Sequence, residues 1–331
     1  MNYSKLKFKI KRMENPITKQ RLINTHNRIR EYIHNTPVLK SEQINNLMGC
    51  DIVFKCENFQ KVGAFKSRGA MNAVLSLHKD ELIKGVCTHS SGNHAQALAR
   101  AAKIAKIPAY IVMPINSSQV KINAVKNYGA EITFCESNLE ARETTLNKIV
   151  EKTGATFIHP YNNWNIIAGQ ATATKELLEE YESLNYIIAP VGGGGLLSGT
   201  ALSAFYFADK TKVIGAEPSE ADDAYKSFEN GKIIPSKNPN TIADGLLTSL
   251  GDKTFSIIQQ YVDAIMLCDE NSIIAAMKLV FERMKIVIEP SSAAALAIIM
   301  ENKEYFKNKQ VGIIISGGNV DLDILFNSLK K

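Results

Sequence analysis

The feature that most constrains the fold of this chain is a run of four glycines between an apolar strand and an apolar helix. Residues 186–190 read as a buried strand, and residues 196–207 form an apolar helical segment directly after the glycines. Without Cβ atoms, consecutive backbone N–H groups can converge on one point, where the helix start adds its partial positive charge. A flexible linker is the alternative, but linkers are not bounded by a strand and a helix without a spacer. The turn therefore predicts a phosphate-binding site.

The surrounding residues exclude two common nucleotide loops. No Gly-Lys-Ser/Thr follows the glycines, as a Walker loop requires, and Ser198 stands where the dinucleotide fingerprint needs its third glycine. A single phosphate group is the better fit.

A second feature is Lys66, which follows Phe65 at the predicted start of a helix. Lys61 and Arg68 are close to it in the sequence. Because a helix N-terminus carries partial positive charge, three cations there predict either a bound anion or a neutral amine. An amine with a lowered pKa is suited to Schiff-base chemistry with a carbonyl. A solvated lysine on a helix face is the alternative interpretation.

Two further turns follow strand-like segments. Residues 90–94, Ser-Ser-Gly-Asn-His, lead into an Ala-rich helix and offer N–H and hydroxyl donors for a carboxylate, although ordinary N-capping is the alternative. Near the C-terminus, an apolar strand delivers Ser316 onto a glycine turn. Ligand contacts lie at such strand ends in α/β folds, and a plain turn is equally compatible.

The pattern of apolar segments predicts an α/β fold. Strand-like pieces at 86–88, 109–113, 131–134 and 156–159 alternate with helical patterns at 93–106, 117–128 and 138–153. This alternation favours parallel strands with crossover helices. A length of 331 residues with 45% apolar content suggests one two-lobed unit or two domains.

Charge and cysteine content restrict the partners and the compartment. The net charge of +6 is scattered, and no basic stripe with interleaved aromatic residues supports nucleic-acid binding. Five dispersed cysteines predict reduced thiols rather than a disulfide frame or a zinc site. No segment has membrane-spanning length and no secretory signal is present, so we expect a cytoplasmic protein with small-molecule substrates.

The order and spacing of these segments resemble the fold-type II pyridoxal-phosphate enzymes, in the branch of serine racemases, threonine/serine dehydratases and 3-hydroxyaspartate dehydratases. The resemblance runs from about residue 36 to 321 and includes 241–245 (Thr-Ile-Ala-Asp-Gly) and 289–291 (Glu-Pro-Ser). It implies a two-lobed fold like that of the tryptophan synthase β chain. Residues 85–160 would form a small mobile domain, residues 1–84 and 161–331 a large cofactor-binding domain, and the protein would be a homodimer.

The resemblance also assigns roles to residues around the cofactor, pyridoxal 5′-phosphate. Lys66 would hold it as a Schiff base and later act as the base at the substrate Cα. The cofactor-binding set comprises Phe65, Lys66, Asn93, Gly192, Gly193, Gly194, Gly195, Leu196 and Ser316. In the family, the residue aligned with Ser316 meets the pyridine nitrogen. A serine cannot keep that nitrogen protonated, so the cofactor is a weaker electron sink and β-elimination is favoured over transamination.

Substrate and metal residues are implied in the same way. The substrate-binding set comprises Ser90, Ser91, Gly92, His94, Arg142 and Asp244. Ser91 would face the side of Cα opposite to Lys66, which permits racemisation. A divalent cation, Mg²⁺ or else Ca²⁺ or Mn²⁺, would be held by Glu217, the Ala221 carbonyl and Asp223. An acidic helix start stabilised by the helix dipole is the alternative for that segment. Glu289 is expected near the edge of the cofactor ring.

These implications predict an ammonia-lyase that converts serine or threonine to a 2-oxo acid, with serine racemase activity. A 3-hydroxyaspartate dehydratase is the alternative within the family, and a non-catalytic cofactor-binding protein is the alternative outside it. Residues 159–164 and 289–292 favour the dehydratases, whereas residues 221–223 favour serine racemase. Ala64 and Ser67 differ from the residues of serine racemases, so the sequence leaves side-chain specificity open.

Overall fold

The computed structural model describes residues 15–90, 92–117 and 119–321, with the side chain of Val120 left out. It contains two sheets. The strands are β1 (Val38–Lys40), β2 (Asp51–Cys56), β3 (Val86–His89), β4 (Ala109–Pro114), β5 (Glu131–Cys135), β6 (Thr156–Phe157), β7 (Tyr186–Pro190), β8 (Lys212–Pro218), β9 (Ala264–Cys268) and β10 (Gln310–Ile315).

The larger sheet has six strands in the order β1-β2-β10-β7-β8-β9. β1 pairs antiparallel with β2, whereas the other pairs are parallel, and β10 lies between β2 and β7. Register pairs Val311 with Ile52 on one side and with Tyr186 on the other. The last strand of the chain therefore joins the two parts of this sheet.

The smaller sheet has four parallel strands in the order β5-β4-β3-β6. Its strands come from one continuous stretch, residues 86–157. Such parallel pairing requires a crossover between strands, and helices supply it here. The predicted alternation of strands and helices in this part of the chain is thus present.

Helices cover both faces of the larger sheet and connect the smaller one. They are α1 (Lys19–Ile29), α2 (Glu42–Met48), α3 (Lys66–Leu75), α4 (Lys79–Lys84), α5 (Asn93–Ala105), α6 (Gln119–Asn127), α7 (Leu139–Thr153), α8 (Trp164–Glu180), α9 (Gly195–Phe207), α10 (Asp223–Asn230), α11 (Asp252–Tyr261), α12 (Glu270–Met284), α13 (Pro290–Glu301) and α14 (Lys303–Phe306).

Alternate strand residues supply the two cores of the larger sheet. Ile52 and Phe54 pack in a cluster with α2, α12 and α13, while Val53 between them packs in a cluster with α8, α9 and α11. Successive side chains on a strand point to opposite faces, so strands apolar throughout become buried on both sides. Around the smaller sheet, the core also takes in Ile29, Met71 and Ile166 from outside residues 86–157. Among the described residues, no helix combines the length and apolar character that crossing a membrane requires.

Candidate active site

Three predicted segments meet at the carboxyl edge of the larger sheet. The turn to Lys66 follows β2, Ser316 follows β10, and the glycine run follows β7. These three strands are neighbours in the order β2-β10-β7 and run parallel. Parallel strands end at the same edge, where α/β folds place their ligands. The sheet topology therefore brings together residues that are up to 250 positions apart in the chain.

Backbone hydrogen bonds fix the Lys66 turn against the turn after β10. Phe65 N donates to Ser316 O at 3.0 Å, and Gly318 N donates to Gly63 O at 2.9 Å. The cofactor-lysine and serine candidates are thus held in a fixed relation by the main chain.

Lys66 is the first residue of α3, whose first turn contains no acidic side chain. Its Nζ donates to Pro160 O at 3.1 Å and lies 5.1 Å from the centroid of the Phe65 ring. Burial lowers the pKa of the Lys66 amine to about 8, and the negative charge of Glu289 opposes part of this shift. A substantial fraction of the amine is neutral at slightly alkaline pH, as nucleophilic attack on a carbonyl requires.

The glycine run leaves no space for side chains. A Cβ atom on Gly193 would lie 2.3 Å from a ring carbon of Tyr161, and one on Gly195 would lie 2.9 Å from the Tyr161 Cβ. Gly194 has φ +85°, a left-handed conformation that glycine adopts without strain. Tyr161 follows Pro160 directly, so the carbonyl that accepts from Lys66 and the ring that packs on the glycines belong to adjacent residues.

The backbone of the glycine run is open to an anion. None of the backbone N–H groups of residues 192–194 donates a hydrogen bond to a described residue, and α9 begins at Gly195. Unpaired N–H groups at a helix start are a ready anion-binding site. The site therefore fits a phosphate group.

A hydrogen-bonded cluster surrounds Ser316. Its Oγ lies 2.9 Å from Ser292 Oγ and donates to Glu289 Oε1 at 3.5 Å. The Asn93 side chain donates to both oxygens of Glu289 at 3.2 and 3.0 Å, and Asn319 donates to Asn93 Oδ1 at 2.8 Å. Burial raises the pKa of Glu289 to about 7, although the hydrogen bond from Asn93 lowers it. This cluster links α5 to the carboxyl edge of the larger sheet.

No role is predicted from the sequence for Asn319 and Ser292. Both lie in short polar motifs, Ser-Gly-Gly-Asn at residues 316–319 and Glu-Pro-Ser-Ser at residues 289–292, whose polar residues are the available signal.

The turn before α5 shows how the carboxylate-binding candidates are arranged. Ser90 N donates to Val112 O at 3.1 Å, and Ser90 Oγ accepts from Gly92 N at 3.3 Å. Ser91 lies outside the described residues, so its predicted role stays a prediction. These contacts place the Ser90 and Gly92 backbone at the start of α5, at the carboxyl end of β3.

The ring of His94 is buried and bonded to a backbone carbonyl outside this turn. Its Nε2 lies 3.1 Å from Ile158 O, a carbonyl that can only accept, so Nε2 carries the hydrogen. Nδ1 is buried and has no partner among the described residues. Burial, followed by the charge of Lys66, lowers the pKa of His94 to about 3, which keeps the ring neutral. A substrate carboxylate would therefore meet the backbone N–H of His94 rather than its ring.

His159 and Tyr161 form a second group, for which the sequence predicts no role in the site. Their rings are 4.6 Å apart, and His159 Nδ1 accepts from Tyr161 N at 3.3 Å and from Asn162 N at 3.0 Å. Burial lowers the pKa of His159 to about 4. The contact with Lys66 thus lies in the His-Pro-Tyr-Asn-Asn-Trp stretch at residues 159–164, for which the sequence predicts no role in the site.

Arg142 and Asp244 do not contact each other. Asp244 pairs with Lys121 of α6 at 2.8 Å, a contact between the smaller-sheet region and the turn after residue 243. The Nε of Arg142 on α7 is buried without a hydrogen-bond partner among the described residues. An unpaired guanidinium nitrogen is a potential contact for an anionic substrate group.

The carboxylates predicted to bind a cation lie near the end of β8, where Glu217 is in the strand and Asp223 follows it. Glu217 is fully buried and accepts from Ala224 N at 2.8 Å and from Tyr225 N at 2.7 Å, while burial raises its pKa to about 9. Both oxygens of Asp223 are buried and make no hydrogen bond to a described residue, although the Ser236 hydroxyl lies close enough to lower the pKa of this carboxyl. Burial raises the pKa of Asp223 to about 6. Among the described residues no cluster of three metal-ligating side chains occurs, so a cation here would need the Ala221 carbonyl and water.

Comparison with known proteins agrees with this geometry. The family model for pyridoxal-phosphate dependent enzymes matches residues 29–317. A serine racemase from Dictyostelium discoideum is 52% identical, over 92% of this chain and 96% of its own length. A beta-hydroxyaspartate dehydratase from Paracoccus denitrificans (strain Pd 1222) is 48% identical, over 93% of this chain and 98% of its own length.

A crystal structure of the Dictyostelium discoideum serine racemase superimposes with a TM-score of 0.88, covering 92% of this chain and 99% of that one. The resemblance stated from the sequence motifs is confirmed, and so is the α/β fold with parallel-rich sheets flanked by helices. The chain belongs to the family of pyridoxal-phosphate dependent enzymes, in its fold-type II group.

Proposed function

We propose that the protein is a pyridoxal-phosphate-dependent ammonia-lyase that converts serine or threonine to the corresponding 2-oxo acid and ammonia, and that it also racemises serine. The observation that carries the proposal is the link between Lys66 and the glycine run. The amine contacts Pro160, and the next residue packs on the glycine run, where the N–H groups of residues 192–194 donate to no described residue. The names of the relatives, serine racemase and beta-hydroxyaspartate dehydratase, support the same reaction classes.

Four elements of the site fit the cofactor. Residues 192–195 and Leu196 would bind its phosphate, Lys66 would bind its aldehyde carbon, and Phe65 and Asn93 would contact its ring. When bound, pyridoxal phosphate supplies an electron sink that stabilises negative charge at the substrate Cα. Ser316 would meet the ring nitrogen.

Lys66 is the candidate base. With its pKa lowered to about 8, its amine can take the Cα proton of the substrate near neutral pH and return it. Racemisation needs a second proton-transfer group on the opposite face, and Ser91 is our candidate for that role. Elimination instead requires loss of the β-hydroxyl, after which addition of water releases ammonia and leaves the 2-oxo acid.

Ser316 supports elimination over transamination. Its hydroxyl shares a hydrogen bond with Ser292 Oγ at 2.9 Å and carries no charge. A neutral hydroxyl does not hold a proton on a pyridine nitrogen as a carboxylate does, so negative charge at Cα is less delocalised. Expulsion of the β-hydroxyl then competes well with reprotonation at a position other than Cα, which transamination requires.

A 3-hydroxyaspartate dehydratase is the second candidate, and one observation favours it. The buried, unpartnered Nε of Arg142 offers a positive group to a second substrate carboxylate. Serine and threonine have no such carboxylate. Together with Asp244, Arg142 is thus our candidate for substrate discrimination.

The experiment that tests the proposal measures 2-oxo acid and D-serine after incubation with L-serine, L-threonine or L-threo-3-hydroxyaspartate. We expect Lys66→Ala to lose at least a thousand-fold in rate, because covalent catalysis and proton transfer are both removed. The matched control is Lys61→Ala, which deletes a neighbouring lysine outside the contact with Pro160. Wild-type protein that binds the cofactor but turns over none of the three substrates would instead indicate a non-catalytic binder.

We further propose a Mg²⁺, Ca²⁺ or Mn²⁺ site at Glu217, Asp223 and the Ala221 carbonyl, supported by the two unpaired oxygens of Asp223. We also propose that residues 85–160 move as a small domain against residues 1–84 and 161–331, and that the enzyme is a homodimer. Light scattering after size-exclusion chromatography would test the dimer. All five cysteines are buried and unpaired, which supports the expected cytoplasmic location.

A further inference from the structure

A buried arginine lies two residues after Lys66 on the same helix. Arg68 is fully buried, and its guanidinium is held between two carboxylates from different elements. Its Nε and Nη2 donate to Glu57 at 2.6 and 2.8 Å, and its Nη1 and Nη2 donate to Glu176 at 2.7 Å each. Thr172 Oγ1 accepts a further bond at 3.1 Å. The two carboxylates together bind the guanidinium through four charged hydrogen bonds.

The environment of Arg68 differs from the one expected from its position in the sequence beside Lys66. The cluster of Lys61, Lys66 and Arg68 predicts either a bound anion or a neutral amine, and for Arg68 the anions are the side chains of Glu57 and Glu176. Burial alone would lower the pKa of Arg68, and the charges of Glu57 and Glu176 more than reverse this, so the guanidinium stays charged. Arg68 is therefore not available to a ligand.

The buried positive and negative charges around Arg68 are balanced. Glu176 also accepts from Lys55 Nζ at 2.8 Å and contacts His26 Nε2 at 3.1 Å. Two carboxylates thus face two cations, Arg68 and Lys55, with both cations fully buried. Buried ion pairs need such complete pairing, because removing one partner leaves an uncompensated charge.

The geometry of α3 separates Lys66 from this network. Residues i and i+2 of a helix point to different sides, so the Arg68 side chain extends away from that of Lys66. Lys66 contacts Pro160, whereas Arg68 contacts the turn after β2 through Glu57 and the helix α8 through Glu176. The contacts of Arg68 therefore hold the first turn of α3 from the side opposite to the active site.

Close packing between the backbones of α3 and α8 adds to the hold that the ion pairs of Arg68 have on α3. A Cβ atom on Gly169 would lie 2.5 Å from the Cα of Gly69, and Gly69 N donates to Gln170 Oε1 at 3.2 Å. The backbones of α3 and α8 thus touch one residue beyond Arg68. A shift of α3 relative to α8 would therefore disturb both this backbone contact and the pairing of Arg68 with Glu176.

We propose that Arg68 is the positioning residue for Lys66: paired with Glu57 and Glu176, it fixes the first turn of α3 so that the Lys66 amine stays at its buried position beside Pro160. The inference rests on the proposed role of Lys66 as the cofactor-binding lysine. Arg68 itself touches neither substrate nor cofactor. Its contribution is to hold the amine in place both when Lys66 is bonded to the cofactor and when it acts as the base.

The test compares Arg68→Lys with Arg68→Met. Lysine keeps the charge but cannot form two paired contacts with each carboxylate, and methionine removes both charge and contacts. In cofactor-free protein, mass spectrometry would follow the rate at which Lys66 reacts with an amine-specific reagent between pH 6 and 11. We expect the midpoint of that reaction in Arg68→Lys to rise by about one pH unit, because a loosened turn exposes the amine and burial is what lowers its pKa.

The groups that face Lys66 from other elements are Glu289, His94 and His159, and these variants leave all three unchanged. In the cofactor-loaded enzyme we expect kcat to fall at least ten-fold with less than a three-fold change in KM. Arg68→Lys should retain more activity than Arg68→Met. Should Arg68→Met fail to fold, the lysine variant alone decides the question.

The matched control is Ile44→Ala on α2, a core substitution in a cluster that contains no residue of α3. It should lower stability without moving the reactivity midpoint of Lys66. The proposal is overturned if Arg68→Lys loses stability like the control while the midpoint and kcat remain those of the wild type. If Lys66→Ala retains activity, the proposed function fails instead, and the reactivity of Lys66 in the cofactor-free protein still reports on Arg68.

Discussion

The substitution Glu289→Gln is expected to stabilise the cofactor-free protein at alkaline pH and to leave its stability unchanged in acid. Burial raises the pKa of Glu289 from 4.5 to about 7 in the folded state. Asp244 raises it further, while the hydrogen bond from Asn93 and the charge of Lys121 lower it. The folded protein therefore binds this proton more tightly than the unfolded chain does.

The sign and size of the effect follow from proton linkage. Between pH 4.5 and about 7 the folded state holds the proton that the unfolded chain has lost, so stability falls as the pH rises through this range. A difference of about 2.5 units corresponds to about 3 kcal/mol, lost in full above pH 7. Glutamine has no such proton and can still accept from Asn93. The variant should therefore exceed the wild type by up to about 3 kcal/mol at pH 8 and by almost nothing at pH 4.5.

Urea unfolding at half-unit steps from pH 4.5 to 8.5 measures this difference directly. The control is Glu304→Gln, whose carboxylate is exposed and pairs only with Lys307 at 3.4 Å, so its profile should parallel that of the wild type. A difference between Glu289→Gln and wild type that stays flat with pH, or that shrinks as the pH rises, would refute the reasoning.

Three further predictions concern other parts of the site. Gly193→Ala should weaken cofactor binding at least ten-fold in a fluorescence titration, because its Cβ would lie 2.3 Å from the Tyr161 ring; unchanged affinity would contradict the close packing. Asp223→Asn should raise the melting temperature in EDTA, since it removes a buried carboxylate without a hydrogen-bond partner, and should abolish stabilisation by added Mg²⁺. Lys121→Met, which breaks the 2.8 Å pair with Asp244, should cost less than about 1 kcal/mol in urea unfolding, because the pair is exposed; a loss of several kcal/mol would contradict this reasoning.

Local patterns predicted much of the fold because they depend on neighbouring residues. The helix predicted at 138–153 is α7 (Leu139–Thr153), which begins one residue later because the Asn138 side chain caps it by accepting from Ala141 N. The strand expected at 156–159 is only Thr156–Phe157, because His159 turns back to accept from the backbone that follows. Such differences concern element ends, which the pattern of apolar residues determines least.

Contacts between residues far apart in the chain could not be predicted from the sequence. The side chains of Asn93 and Glu289 are 196 positions apart, and nothing local indicates that they share hydrogen bonds. Arg68 was grouped with Lys66 by proximity in the sequence, but a helix turns them to different sides and Glu176, 108 positions away, decides the environment of Arg68. Lys66 could be proposed as the cofactor lysine from the sequence because the residues that suggest its chemistry form a contiguous motif. The network of Arg68, Glu57 and Glu176 that supports it could not be inferred.

The position of β10 has a consequence for how the chain matures during synthesis. All strands of the smaller sheet are complete once Phe157 has left the ribosome, whereas the larger sheet lacks a central member until Gln310–Ile315 emerges. Until then, β2 and β7 each present an unpaired edge, and such edges invite pairing with other nascent chains. Translation that halts before residue 310 would release a polypeptide whose larger lobe remains in two unjoined halves, an expected substrate for chaperones and proteases.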